Sequence, residues 1–233
     1  MKLSILIPTF NEQRTIQEIV DAIEAVPFPI GHEIIIIDDA STDRTVEKLT
    51  IARLREARPH IQILRNPVNR GKGFSIRKGI EKASGELLIV QDADDEYDPR
   101  DIPRLIEPIL KGEASVVYGS RFMKSFYPKG MALPNWAANR LLTWLTNLLF
   151  GLRLSDMETC YKAFRADLIK NLPLKSDRFE FEPEVTALLA RAGHPITELP
   201  IGYSGRTAKK GKKIRAKDFF IACFTLIRCR FFK

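Results

Sequence analysis

The 233-residue chain holds only three cysteines and three histidines, has no Gly/Ser-rich or low-complexity stretch, and contains no long uninterrupted apolar run. Each scarcity excludes something. Cys160, Cys223 and Cys229 are odd in number and match neither a CxxC pair nor a zinc-ligand spacing, so a reduced, cytosolic compartment is expected. His32, His60 and His194 are scattered along the chain, which argues against a histidine metal site. A membrane-spanning helix needs about eighteen apolar residues. The stretch 132–152 is interrupted by Asn135, Asn139, Arg140 and Asn147, and the stretch 218–233 ends in cations, so both suit a membrane interface rather than a crossing. From Met1 and Lys2 the chain runs directly into LSILIP, so no secretory signal is expected. No GxGxxG follows that first apolar run, which disfavours a nicotinamide dehydrogenase.

What the chain does have is 45% hydrophobic residues, enough for one sizeable core, and a net charge of +8. The charge favours a polyanionic partner: nucleic acid, an anionic membrane surface or a phosphorylated small molecule.

The first half alternates two periodicities. Leu3 to Ile7 reads as a strand, and Ile16, Ile19, Val20, Ile23 and Val26 follow at helical spacing. Glu33 to Ile37 suits a strand buried on both faces, after which Asp43 can cap a helix carrying Val46 and Leu49. Further strands are expected at 61–64, 86–91 and 115–118, with helices near 73–83 and 99–110. This βαβα order predicts an α/β fold with a mostly parallel sheet covered by helices on both sides. Beyond Arg121 come a Trp-bearing amphipathic helix, the stretch SDMETCYKAFR, a helix from about Glu182, and a short strand near 196–203. No linker-like composition separates the halves, so 1–217 is expected to be one domain, with halves at about 1–121 and 122–217, followed by an apolar interfacial segment at 218–233.

Ligands of open α/β sheets gather at the carboxyl ends of the strands. The loops expected there read PTFNE, DDASTD, NPVNRGKG, QDADDEYDP and GSRF. Asp92 and Asp94 flank the small Ala93, so both can reach one hard cation of the Mg²⁺ or Mn²⁺ type, which leaves positions for water and substrate phosphate. Asp frequently also caps helices and opens turns, and Asp98-Pro99 has that form. Asp38 and Asp39 carry the same ambiguity.

PTFNE at 8–12, IIDDASTDRT at 36–45, NRGKG at 69–73, DAD at 92–94 and GSR at 119–121 together resemble glycosyltransferase family 2, inverting enzymes of the GT-A (Rossmann-like) fold. Within it the sequence is most similar to dolichyl-phosphate mannose synthases and related polyprenyl-phosphate glycosyltransferases. The resemblance covers nearly the whole chain. It implies that Pro8, Phe10, Glu12 and Asp39 surround the nucleobase and ribose of a GDP- or UDP-linked sugar, with Lys72 and Ala93 against the same donor. Asp92 and Asp94 would hold the metal and diphosphate, with Glu96 where the synthases often place a glutamine ligand. Arg121 and Arg140 match the acceptor-phosphate region, making Asp92, Asp94 and Arg121 the catalytic set. Asp156 and Glu158 lie where many such synthases read closer to SDPTSGFR, from which Met157, Glu158 and Cys160 depart.

Between Arg206 and Lys217 lie seven basic residues and no acidic one. The resemblance implies that this loop closes over the diphosphate, with Arg206 and Lys212 as the contacts, while other lysines face anionic lipid. The expected partners are thus a nucleotide-sugar, a polyprenyl phosphate and an anionic membrane surface, with no nucleic acid. The expected place is peripheral, on the cytoplasmic face of the membrane. Two rivals stay open: transfer to a saccharide hydroxyl with an acidic residue such as Asp156 as base, and a non-catalytic basic adaptor that binds membrane or nucleic acid through 206–217.

Overall fold

The computed structural model describes residues 1–50, 59–205 and 216–232. Strands β1 (Lys2–Thr9), β2 (Gly31–Asp38), β3 (Ile61–Arg65), β4 (Leu87–Val90), β5 (Val116–Ser120), β6 (Lys162–Arg165) and β7 (Thr197–Pro200) form one seven-stranded sheet in the order β3-β2-β1-β4-β6-β5-β7. All pairings are parallel except those of β6, which runs antiparallel to both β4 and β5. The mostly parallel α/β reading therefore holds.

Helices α1 (Ile16–Glu24), α2 (Thr45–Thr50), α3 (Lys72–Lys82), α4 (Ile102–Leu110), α5 (Leu133–Phe150), α6 (Ala166–Ile169), α7 (Phe181–Arg191) and α8 (Ala216–Phe231) cover the sheet. Their sequence signals act as anticipated. In α1, Ile16, Ile19, Val20 and Ile23 are buried on one face. Asp43 accepts from the backbone N–H of Thr45 at 2.9 Å and opens α2. Asp98 accepts from Arg100 N–H at 2.9 Å and caps a 3-10 turn, Pro99–Asp101, that leads into α4. The whole of β4 and all but the first residue of β1 are buried, as both-face burial requires of central parallel strands.

Strand β6 lies in SDMETCYKAFR, a stretch without a clear strand signal. Its first residue, Lys162, is fully buried. A lysine at a core position hides the apolar alternation, and only a partner makes it tolerable: Glu182 of α7 supplies a carboxylate at 2.5 Å. The C-terminal apolar stretch is the helix α8, which begins at Ala216 and packs on α5 and α7. No helix among the described residues is long and apolar enough to cross a membrane.

β1 pairs with β2 on one side and β4 on the other, so the crossovers reverse direction between β1 and β4. Loops diverge at such a switch point and leave a crevice at the strands' carboxyl ends.

Candidate functional site at the switch point

The crevice is built on loops with strained and strongly pinned backbone. Asn11 and Ala40 are the two non-glycine residues with positive φ among those described, at 51° and 59°. Both sit at this edge, in the loops after β1 and β2. Left-handed conformations in such residues persist only where surrounding contacts fix them. Here Asn11 N–H donates to Ser41 Oγ at 2.9 Å, Thr42 N–H donates to the Asn11 side-chain oxygen at 2.8 Å, and Glu12 N–H donates to Thr45 Oγ1 at 2.9 Å. PTFNE and DDASTD thus form one interlocked wall. It carries Pro8 at the end of β1, Phe10 half-buried, and Glu12, whose carboxylate lies 3.2 Å from the Thr15 hydroxyl oxygen.

Asp38 and Asp39 are turned inward. Asp38 accepts from Ser41 N–H at 3.3 Å and faces Arg65 at 3.4 Å, which is the turn role its sequence context allowed. Asp39 accepts from the backbone N–H groups of Arg70 and Gly71 at 2.9 and 2.7 Å and from the Asn66 side chain at 2.8 Å. Its carboxylate organises the NRGKG loop. Gly71 has φ of 110°, and a Cβ there would stand 2.5 Å from the Asp177 carbonyl, so the loop requires glycine.

Asp92 and Asp94 occupy the turn directly after β4. The carbonyl of Ala93 between them accepts from the Thr15 hydroxyl at 2.7 Å, which ties the turn to α1. Lys72, at the start of α3, reaches across the crevice to Asp92 at 2.8 Å and to Glu182 at 3.3 Å. Burial disfavours the Lys72 ammonium, but the carboxylates of Asp92 and Glu182 outweigh it and hold its pKa well above the usual lysine value. Asp92, Lys72, Glu182 and Lys162 therefore form a continuous row of alternating charge. Neither Glu182 nor Lys162 stood out in the sequence, because a carboxylate inside an amphipathic helix reads as solvated surface. Cys160, whose thiol pKa burial and Asp92 push well up, stays protonated.

A hard divalent cation needs oxygen donors on an open side. Asp92 and Asp94 supply such oxygens from one pinned turn: Asp92 already draws the Lys72 ammonium to 2.8 Å, while Asp94 is buried and accepts from Glu96 N–H at 3.1 Å. Glu96 is placed differently. Its carboxylate accepts from the Tyr203 hydroxyl at 2.9 Å, and its carbonyl accepts from Ser204 N–H at 3.0 Å. Among the described residues, Asp92, Asp94 and Glu96 do not gather as a three-donor cluster within 4.8 Å. As positioned, Glu96 closes the turn against the segment after β7.

Arg121 and Arg140 come together on a shared ring. Their guanidinium carbons lie 5.7 and 5.3 Å from the centroid of Phe122. Their environments differ. Arg121 is buried, with Nε and an Nη each 2.7 Å from the Asp156 carboxylate, and it also lies over the Tyr203 ring. Burial opposes its charge, yet Asp156 raises its pKa well above the usual value. Arg140 is exposed, with one long contact of 3.4 Å to the Ser155 carbonyl. Asp156 is fully buried and committed to Arg121, so it is not accessible as a base. Glu158 is unlike either. Its Oε1 is buried without a hydrogen-bond partner, and burial pushes its pKa up to about 7. Arg206 and Lys212 lie outside the described residues.

Helices α5, which carries Arg140, and α8 turn apolar side chains outward. On α5 these are Leu141, Trp144 and Leu148, and on α8 they are Phe220, Phe224, Ile227 and Phe231. Trp136 and Leu145 are half-buried, and the Trp136 indole donates to the Phe126 carbonyl at 2.8 Å.

The family model described as "Glycosyl transferase family 2" matches residues 4–172, from β1 through the acidic turn to the end of β6 and beyond. The chain belongs to glycosyltransferase family 2. This family 2 chain is 29% identical over 227 residues to the dolichol-phosphate mannosyltransferase of Pyrococcus furiosus, an alignment covering 94% of the chain and 61% of that protein. It is 28% identical over 232 residues to the undecaprenyl-phosphate mannosyltransferase of Micrococcus luteus, covering 91% of the chain and 87% of the relative. Among solved structures, glucosyl-3-phosphoglycerate synthase from Mycobacterium tuberculosis, in complex with Mn²⁺, UDP and glucosyl-3-phosphoglycerate, superposes with a TM-score of 0.73 at 20% identity. That superposition covers 100% of this chain and 81% of the synthase. It bears out the GT-A fold.

Proposed function

We propose that this family 2 chain transfers a sugar from a GDP- or UDP-linked donor to a polyprenyl phosphate at a membrane surface, with inversion. The observation that carries the reading is the position of Arg140. It shares the Phe122 ring with Arg121, directly after β5, and lies on the same helix as the exposed Leu141, Trp144 and Leu148, so a phosphate held there can keep its lipid tail along α5. The Pyrococcus and Micrococcus relatives, named for transfer to dolichol phosphate and undecaprenyl phosphate, support the acceptor class. The mycobacterial synthase, solved with Mn²⁺ and UDP, supports the donor class.

A phosphate acceptor carries its negative charge near pH 7, so one of its oxygens attacks the anomeric carbon without a general base. As the new C–O bond forms, the bond to the donor's diphosphate breaks and the electron pair leaves with the nucleoside diphosphate. The protein's task is alignment and charge stabilisation. Asp92 and Asp94 would hold a Mg²⁺ or Mn²⁺ ion, which when bound stabilises the departing diphosphate. Lys72 fixes Asp92 and offers a cation at the same place. Arg140 receives the acceptor phosphate, and Arg121, clamped by Asp156, holds Phe122 and Tyr203 in position around it. Arg206 and Lys212 would close over the donor from the basic segment.

The test supplies radiolabelled GDP- and UDP-sugars with polyprenyl phosphate in mixed micelles, alongside soluble saccharide acceptors. The reading expects label in the organic phase, dependent on added Mg²⁺ or Mn²⁺ and lost with Asp92→Asn. Label confined to soluble saccharides would instead establish a hydroxyl acceptor.

A further inference from the structure

The sheet's opposite edge brings together two of the three histidines that the sequence scatters. Glu24 ends α1, His32 is the second residue of β2, and His60 immediately precedes β3. The Nε2 atoms of both rings face the same oxygen, Glu24 Oε1, at 3.4 Å from His32 and 2.9 Å from His60. The rings meet edge to face with centroids 5.3 Å apart, and Phe28 packs on His32 at 4.7 Å. The three donor atoms all lie within 4.8 Å of one another, the one such cluster among the described residues.

We propose that Glu24, His32 and His60 form a binding site for a divalent transition ion of the zinc type. Tetrahedral zinc with ligands at 2.0–2.1 Å places its donor atoms roughly 3.3 Å apart, and the two measured separations bracket that value. Two imidazoles and one carboxylate are a donor set suited to Zn²⁺ rather than to Mg²⁺ or Mn²⁺, which take oxygen. The ligands are each between a fifth and a third exposed, so an ion has access and a water can complete the shell. They come from three separate elements, so a bound ion clips the end of α1 to the starts of β2 and β3. The strands' amino edge lies a full strand length from Asp92, which makes the site a structural clip independent of sugar transfer.

The experiment uses the full chain carrying Asp92→Asn and Asp94→Asn, so that the carboxyl-edge turn takes up no metal. After EDTA treatment and its removal, ZnCl₂ is titrated calorimetrically, and CoCl₂ is titrated while visible absorption is recorded. One equivalent of Zn²⁺ and the intense visible bands of tetrahedral Co²⁺ are expected. Both should vanish in His32→Gln/His60→Gln and persist in His194→Gln. Should the double histidine variant fail to fold by circular dichroism, Glu24→Gln, which keeps both rings and the side-chain volume, decides by at least a tenfold weakening. No zinc uptake by the parent protein, or uptake unchanged in the folded double variant or in Glu24→Gln, would overturn the site.

Discussion

Two strands of this molecule end in paired aspartates, β2 with Asp38-Asp39 and β4 with Asp92 and Asp94, and the pairs do different work. After β2 the carboxylates are buried and accept from backbone N–H groups at Ser41, Arg70 and Gly71. Folding uses them up. After β4 the turn is pinned through the Ala93 carbonyl and through Asp94, which accepts from Glu96 N–H at 3.1 Å, while Asp92 faces a lysine. A carboxylate held by backbone N–H groups shapes a loop, whereas one that faces an ammonium, as Asp92 faces Lys72, can exchange it for another cation. The acidic pattern is shared; the partner decides the role.

Four substitutions would break or sharpen that contrast. Asp92→Asn should reduce transfer by about 100-fold or more, the scale of losing a main electrostatic contributor at a reacting diphosphate. Its stability cost should be only about 1 kcal/mol, as for a partly exposed ion pair, measured by urea unfolding beside single-turnover rates. Removing the counter-charge instead, Lys72→Met leaves Asp92 and Glu182 facing each other and should cost about 3 kcal/mol. Adding Asp92→Asn to it should restore part of that loss. Asp39→Asn inverts the first pattern: about 2 kcal/mol of stability is lost as charge-assisted hydrogen bonds to the NRGKG loop weaken, and donor KM rises more than kcat falls.

The smallest effect concerns Glu158, whose Oε1 is buried without a hydrogen-bond partner. Burial raises the Glu158 pKa from 4.5 to about 7, so the folded state binds a proton more tightly than the unfolded state. Its protonated form is therefore favoured by folding below about pH 4.5, and stability falls as pH rises from there through about 7. Glu158→Gln should raise stability at pH 8 on the order of 1 kcal/mol and give no gain at pH 4. Paired thermal melts at the two pH values check the sign.

The fold was legible wherever periodicity spoke without interference. Leu3 to Ile7, Ile34 to Ile37 and Leu87 to Val90 are unbroken apolar strands, and each lies in the sheet core. Strand β6 escaped because Lys162 stands at a core position, and its pairing with Glu182 joins residues twenty positions apart. At the candidate site, ordered motifs marked which loops matter, and chain alternation placed them at one edge. That Asp92 meets Lys72, that Asp156 clamps Arg121, and that Arg121 and Arg140 share Phe122 required the assembled sheet. The histidines show the same limit: dispersed at positions 32 and 60, they converge on Glu24 because β2 and β3 are parallel neighbours.

The sequence by itself determined the α/β alternation, the capped helices and the family, since hydrophobic period, turn chemistry and motif order are properties of short stretches. Only the tertiary structure decided which charges are consumed and which face the crevice. A carboxylate's role depends on the donors within hydrogen-bonding distance, and those donors arrive from strands and helices remote along the chain.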